Sequence, residues 1–505
     1  MHRNCLPIAV IIIFLLGSII FISPSPVKAA EGTIPVHNIS IQFDLQNHQF
    51  IASSRIELPA GMNINLSLAH IHISQASING QPVSKEILAA DNLQLPAAEE
   101  SQEILITYYN VFEPGTAPYN LISDSGITLT DYWYPVADRE MLYKLTAQVP
   151  ENFEAISEAE EIITFNIGGS KQITFQFPHP LYAINFVAGP YIMTEETFGE
   201  NKTLTAYFFV EDQQLAAGYL EKARQYLERY EKLLGPYPYN RFSIVENRLP
   251  TGFAMPTYTL LGQAVVRLPF IVNTSLGHEV LHGWFGNGVR MNPQQGNWVE
   301  GLTTYLADQS FQTDTGRGSI YRKGQLVKYN SFVRPDMDLA LGNFSNVAHR
   351  HSSGQATRAV GYLKSSMFFH MLRKKIGQDA FIKSLRDFYD TKKYKPAGWS
   401  DIKESFEGVT NKDLTTFFEQ WLDKIDIPAL DIKKVEVTEK EGTPFLSFDL
   451  IQQNKEPYEL DVPIHIVTEE ETIKKRFLVS EKSSTFELSL PAVPHLVTIA
   501  NLQAV

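Results

Sequence analysis

The sequence predicts an α+β protein of several domains, with an N-terminal β domain, a mixed and largely helical middle, and a C-terminal β-sandwich. Three observations predict this. The chain has 505 residues, more than one hydrophobic core usually organises. Apolar residues alternate with period two toward both ends and recur at helical spacing through the middle third. Hydrophobic residues at 44%, with 31 Phe and 22 Tyr among them, supply bulk for several cores and exclude wholesale disorder.

Residues 1–29 read as a signal peptide. Arg3 precedes an apolar run at 6–22, and Val27-Lys28-Ala29 offers the small residues that signal peptidase needs. The alternative is an uncleaved anchor, because such a run falls just short of the roughly 20 residues that span a bilayer. Either way the bulk of the protein is expected to be exported, periplasmic or extracellular, and attached to a membrane only if the leader is kept. The single cysteine, Cys5, lies before the apolar run, so the cleaved protein is expected to form no disulfide and a lipidated form is not supported.

Residues 30–205 form the predicted β domain. Ile39, Ile41, Phe43 and Leu45 share one face, Ile64, Leu66 and Leu68 repeat the pattern, and similar runs follow at 104–108 and 173–177. Residues 206–427 change texture. Helical spacing appears at 213–234, where Gly235-Pro236 stops it, and again at 276–285, 298–308, 360–376, 379–389 and 413–423, with a strand-rich portion at 241–266. Residues 428–505 return to period two in Val435/Val437, Leu446/Phe448/Leu450, Leu460/Val462/Ile464/Ile466 and Phe486/Leu488/Leu490, which fits a sandwich.

Lysine and arginine number 43 against 56 acids, a formal charge of 43 − 56 = −13, and no basic run follows the first residues. Phosphate backbones would be repelled, so nucleic acid is excluded as a partner. Substrates with positive groups, such as peptides, are compatible with this balance.

The chemistry concentrates in Leu276-Gly277-His278-Glu279-Val280-Leu281-His282-Gly283-Trp284-Phe285, preceded by Asn273, Thr274 and Ser275 as candidate helix caps. Histidines at i and i+4 lie on one helix face, one turn apart, where both imidazoles can hold one metal ion. Glu279 stands beside the first of them and is the candidate general base. A surface helix that happens to carry two histidines is the plain alternative. It weakens at Trp298-Val299-Glu300-Gly301, because Glu300, 300 − 282 = 18 positions after His282, supplies a carboxylate at a helix start. Two imidazoles and one carboxylate leave a position open at a tetrahedral ion, the pattern of a catalytic zinc site.

His278 to Asn287, H-E-V-L-H-G-W-F-G-N, resembles the signature H-E-x-x-H-x-W-F-G-N of the aminopeptidase N family of gluzincin peptidases. Leu234-Gly235-Pro236-Tyr237-Pro238-Tyr239 and Trp298 to Gly301 resemble further segments of that family. The resemblance implies a thermolysin-like α/β catalytic domain, one Zn²⁺ held by His278, His282 and Glu300, peptide substrates, and Glu279 as general base. It also implies that Tyr362, in Gly361-Tyr362-Leu363-Lys364-Ser365, is the family tyrosine of Y-x-K-G, whose phenol stabilises an oxyanion.

Three departures qualify it. The family loop G-x-M-E-N, whose glutamate binds the substrate's free α-amine, aligns with Gly252-Phe253-Ala254-Met255-Pro256-Thr257, so Ala254 and Met255 are implied substrate contacts while Pro256 replaces the acid. Glu246 could substitute, although a solvated acid at a strand end is the plainer reading. The family usually has 18 residues between the second histidine and the glutamate, against 17 here, and it often has glutamine where Gly283 stands. His349 and His351 read as exposed loop histidines.

The expectation is therefore an exported zinc metallopeptidase, aminopeptidase-like but with altered recognition of the N-terminus. The alternative is a catalytically weakened envelope binding protein that keeps the fold. Side-chain preference, exo- versus endopeptidase action and oligomeric state stay open at this level.

Overall fold

The computed structural model describes residues 34–500 apart from 85–86, 88–90, 335 and 346–353. The predicted leader, His349 and His351 lie outside the described residues. Among those described, no helix is long and apolar enough to cross a membrane.

An eight-stranded sheet organises the N-terminal region, with Val36–Asp44 at its centre, parallel to Leu142–Pro150 and antiparallel to Gln49–Leu58. Its alternation is the one the sequence predicts: Ile39 and Ile41 are buried, as are Ile56 and Ile106 on neighbouring strands. A small four-stranded sheet carries the chain toward the cleft, in the order Glu154–Ile156, Phe186–Gly189, Gly126–Leu129, Asn120–Ser123.

The next sheet has five strands. Lys202–Phe208, Arg241–Asn247 and Tyr258–Gly262 run parallel, while Ile192–Phe198 and the edge strand Gly252–Met255 pair antiparallel at the two sides. The expected boundary at 205/206 cuts through the strand Lys202–Phe208, because this sheet already begins at Ile192. Its first strands alternate like those before them, so periodicity could not mark the change of sheet. Ile156 and Val187 of the small sheet also pack with Tyr207, Val245 and Leu260 of this one, in a shared apolar cluster.

The helices follow. Ala216–Leu234 buries Tyr219, Leu220, Ala223, Leu227 and Tyr230 along one stripe and ends at Gly235, whose φ of 116° suits glycine. Helices not read from the sequence include two long ones, Gly318–Phe332 and Trp399–Thr410.

Leu430 to Ile499 build two three-stranded sheets that enclose their own core of Leu446, Phe448, Leu450, Val462, Ile464 and Ile466. Val435 and Val437 depart from the expected inward face and are 47% and 41% exposed. The strand Leu430–Lys440 lies at a sheet edge and its register shifts between Lys433 and Glu436, where Lys434 takes a φ of 49°.

Candidate active site

His278 and His282 lie on and just after the short helix Ser275–Leu281. Thr274 occupies the N-cap, but its hydroxyl donates to the Phe270 carbonyl at 2.9 Å, so the predicted side-chain cap is not made. The helix is held instead by its surroundings. Trp284 is fully buried and donates from Nε1 to the carbonyl of Gly235 at 2.9 Å, joining two motif segments that are far apart in sequence. Gly283 is required by contact: a Cβ there would stand 2.5 Å from the Tyr237 ring, which leaves no room for the glutamine that the resemblance suggests.

Glu300 lies in the first turn of the helix Val299–Thr304, and its Oε2 is 3.5 Å from Nε2 of His278 and 3.8 Å from Nε2 of His282. The shortened spacing therefore still delivers the carboxylate. Two ligands at about 2.0–2.1 Å from a tetrahedral ion lie about 3.3–3.4 Å apart, close to these separations. The three donor atoms lie within 4.8 Å of one another, and the set fits one zinc ion.

Each imidazole is aimed by a bond through its other nitrogen. Nδ1 of His282 is 3.1 Å from the Phe285 carbonyl oxygen, and Nδ1 of His278 is 3.1 Å from Asp308 Oδ2, which leaves both Nε2 atoms turned toward Glu300. Asp308 was not picked out from the sequence. In a regular helix residue i+7 from Glu300 is Ala307, and Asp308 would point about 80° away. A π turn at Tyr305–Gln309 widens the helix by one residue and rotates Asp308 into that phase.

Charge follows geometry. Burial alone would depress the His278 imidazole, yet the Asp308 and Glu300 carboxylates hold it well above the usual histidine range. Burial would raise Glu300, yet the two imidazoles draw it down to about 2. Burial lifts Glu279 above the ordinary carboxyl range against the pull of both histidines. These acids favour positive charge at the focus of the two rings.

Tyr362 sits on a second π turn, Ala359–Lys364. Burial and the neighbouring Glu300 carboxylate raise its phenol further above the ordinary tyrosine range, so it stays a proton donor, and the Arg358 guanidinium lies 5.4 Å from its ring centre. Glycine again permits the approach: a Cβ on Gly301 would overlap Ser365, so the Glu300 helix packs directly on the segment that carries Tyr362. Lys364, the lysine of the same motif, is buried and donates to the carbonyls of Lys424 and Ile425 at 3.1 Å, a tether to the chain leaving this region.

His278, Glu279, His282, Glu300 and Tyr362 all line one cavity of about 980 Å³, together with Ala254 and Met255 of the edge strand and Pro256 just after it. The Asn287 amide reaches the Ala254 carbonyl at 3.4 Å and ties that strand to the histidine segment. Met255 and Tyr258 are paired, so Pro256 and Thr257 form a two-residue turn in which proline supplies the first position and Thr257 takes a φ of 74°. Glu246 is not the solvated acid expected. It is fully buried, accepts from the Phe209 amide at 2.8 Å, sits beside Asp212, and does not line the cavity.

Residues 269–421 match the Peptidase family M1 domain. Over that stretch the chain is similar to aminopeptidase N-like gluzincins. It is 24% identical over 279 residues to the alanine/arginine aminopeptidase of Saccharomyces cerevisiae, covering 50% of this chain and 31% of that protein. It is 19% identical over 442 residues to tricorn protease-interacting factor F2 of Thermoplasma acidophilum, covering 79% and 54%. The chain thus spans about a third to a half of the length of these relatives.

Among solved structures, a mutant of an M1 zinc metallopeptidase from Deinococcus radiodurans superposes with a TM-score of 0.62 at 16% identity, covering 79% of this chain and 96% of that one. Legionella pneumophila aminopeptidase A in complex with aspartic acid superposes with a TM-score of 0.70 at 16% identity, covering 92% and 58%. The chain therefore shares its fold with these M1 peptidases.

Proposed function

We propose that this protein is an exported, zinc-dependent peptidase in which His278, His282 and Glu300 hold the ion. The observation that carries the reading is the convergence of both Nε2 atoms on Glu300, with Glu279 and Tyr362 on the same cavity wall. A bound zinc supplies Lewis acidity to a peptide carbonyl. Glu279, adjacent to His278 in sequence and lifted in pKa by burial, takes a proton from the attacking water and returns it to the departing amine nitrogen. Tyr362 donates a hydrogen bond to the carbonyl oxygen as that oxygen gains charge. Asp308 keeps the His278 ring in its orientation.

Export is the reading that the apolar run at 6–22 and the following Val27-Lys28-Ala29 support. Recognition of the peptide N-terminus differs from the family pattern, because Pro256 forms the turn where the family glutamate would stand.

The test is hydrolysis of a mixed peptide library by protein stripped of metal and then reloaded with zinc, beside a Glu279→Gln variant. Zinc-restored cleavage by wild type, with zinc bound but turnover lost in the variant, is the expected result. Equal inactivity of wild type and variant, both carrying zinc, would replace the peptidase by a binding protein.

A further inference from the structure

Glu158 follows the strand Glu154–Ile156, outside the motif-bearing segments, and it lines the same cavity as the metal-binding residues. Its carboxylate is only 3% exposed. The groups that hold it are all neutral: Oε2 accepts from the Asn185 backbone amide at 2.8 Å and from the Ser157 hydroxyl at 3.2 Å, and Oε1 accepts from the Asn185 side-chain amide at 2.7 Å. Among the described residues no lysine, arginine or histidine lies within ion-pair distance of it. A buried acid with hydrogen bonds but no counter-charge is costly to keep ionised, and burial lifts this one to about 7.

Asn185 adds a second, independent feature. It lines the cavity too, is itself 4% exposed, and its side-chain Oδ1 has no hydrogen-bond partner. Its Nδ2 also reaches the Met255 sulfur at 3.2 Å, which fixes the pair against the edge strand beside Pro256. The wall of the cleft therefore presents an uncompensated carboxyl and an idle carbonyl oxygen side by side. The complement is a compact cation with several N–H donors.

We propose that Glu158 and Asn185 form a subsite that binds an ammonium group of the substrate, so that the peptidase selects peptides by a positive amine held at this wall of the cavity. An ammonium has three donors, enough for a Glu158 oxygen and Asn185 Oδ1 together. The inference rests on the peptidase reading. A peptide offers such a group from a free N-terminus or from a lysine side chain, and the test separates these.

Zinc-loaded wild type and Glu158→Gln are compared on three peptides: one with a free N-terminus, its acetylated twin, and an acetylated peptide with lysine beside the scissile bond. The glutamine keeps the shape and the Asn185 contacts but removes the charge. The expected result is a rise in KM of about 10- to 150-fold on the ammonium-bearing substrate alone, with the neutral twin unchanged. Loss on the first peptide assigns the N-terminus, and loss on the third assigns lysine. An equal change on all three, or none, overturns the subsite.

A second measurement needs no variant: calorimetric binding of leucinamide and N-acetyl-leucinamide to wild type. Binding of leucinamide alone supports the subsite, while equal binding of both, or of neither, overturns it. Wild type that cleaves no peptide with zinc bound would remove the peptidase reading, and the leucinamide comparison would still decide the subsite.

Discussion

At one end of the cleft, His278, His282 and Glu300 come from two short helices close together in the chain, and both imidazoles are aimed by hydrogen-bond partners, Asp308 and the Phe285 carbonyl. At the other end, Glu158 just after the strand Glu154–Ile156 and Asn185 just before the strand Phe186–Gly189 meet the edge strand Gly252–Met255 only through long-range packing. The first end is crowded with charges that stabilise one another. The second holds a single acid among neutral donors. The contrast separates a centre that fits a zinc ion from a wall that we propose recognises an ammonium group.

The largest expected effect lies at the metal end. Glu279→Gln should lower kcat by about 10²- to 10⁴-fold while zinc content stays at that of wild type, measured by steady-state kinetics and metal analysis. Tyr362→Phe should lower kcat by about 10²- to 10³-fold, with KM and zinc content nearly constant, because the phenol acts on charge that develops only during reaction. If either change releases the metal, that residue supports the ion and not the chemistry.

Smaller and of a different kind is Asp308→Asn, which keeps the shape but removes the charge facing His278. Zinc affinity should weaken about 10- to 100-fold in chelator competition. An unchanged affinity would mean that the π turn brings Asp308 to His278 without consequence.

The smallest effect sets a buried acid away from the cleft against Glu158. Glu246 is raised from 4.5 to about 7, chiefly by burial, so its protonated form is favoured in the fold. That contribution is fully present below about pH 4.5 and is lost as pH rises through 7. Glu246→Gln should therefore flatten the fall in stability between these values and make the protein roughly 1–2 kcal/mol more stable than wild type at pH 8, read from denaturant unfolding. A parallel pH profile would show that Glu246 ionises freely.

The metal end was legible in the sequence because an i, i+4 histidine pair and a nearby acid are set by helix geometry alone. The outer strands and most helices were legible for the same reason, as Ile39/Ile41 and the stripe of Ala216–Leu234 show. Asp308 was hidden by one inserted residue, since its phase depends on a π turn that no local pattern announces. Glu158 and Asn185 were hidden by topology, because their meeting depends on how the four-stranded sheet docks against the five-stranded one. Glu246 was misread as solvated because its strand is buried on both faces, so alternation carried no signal there. The helix Gly318–Phe332 escaped because Gly318 and Gly324 break its pattern, whereas Trp399–Thr410 was missed although Trp399, Ile402 and Phe406 stand at helical spacing.

The central claim is that two imidazoles and one carboxylate share a single zinc ion. X-ray absorption at the zinc edge tests it most directly. The account predicts one zinc per chain with two nitrogen ligands and carboxylate oxygen at about 2.0–2.2 Å, and loss of that zinc in Glu300→Ala. Zinc that stays bound with an unchanged spectrum in Glu300→Ala, or protein that takes up no stoichiometric zinc, would contradict it.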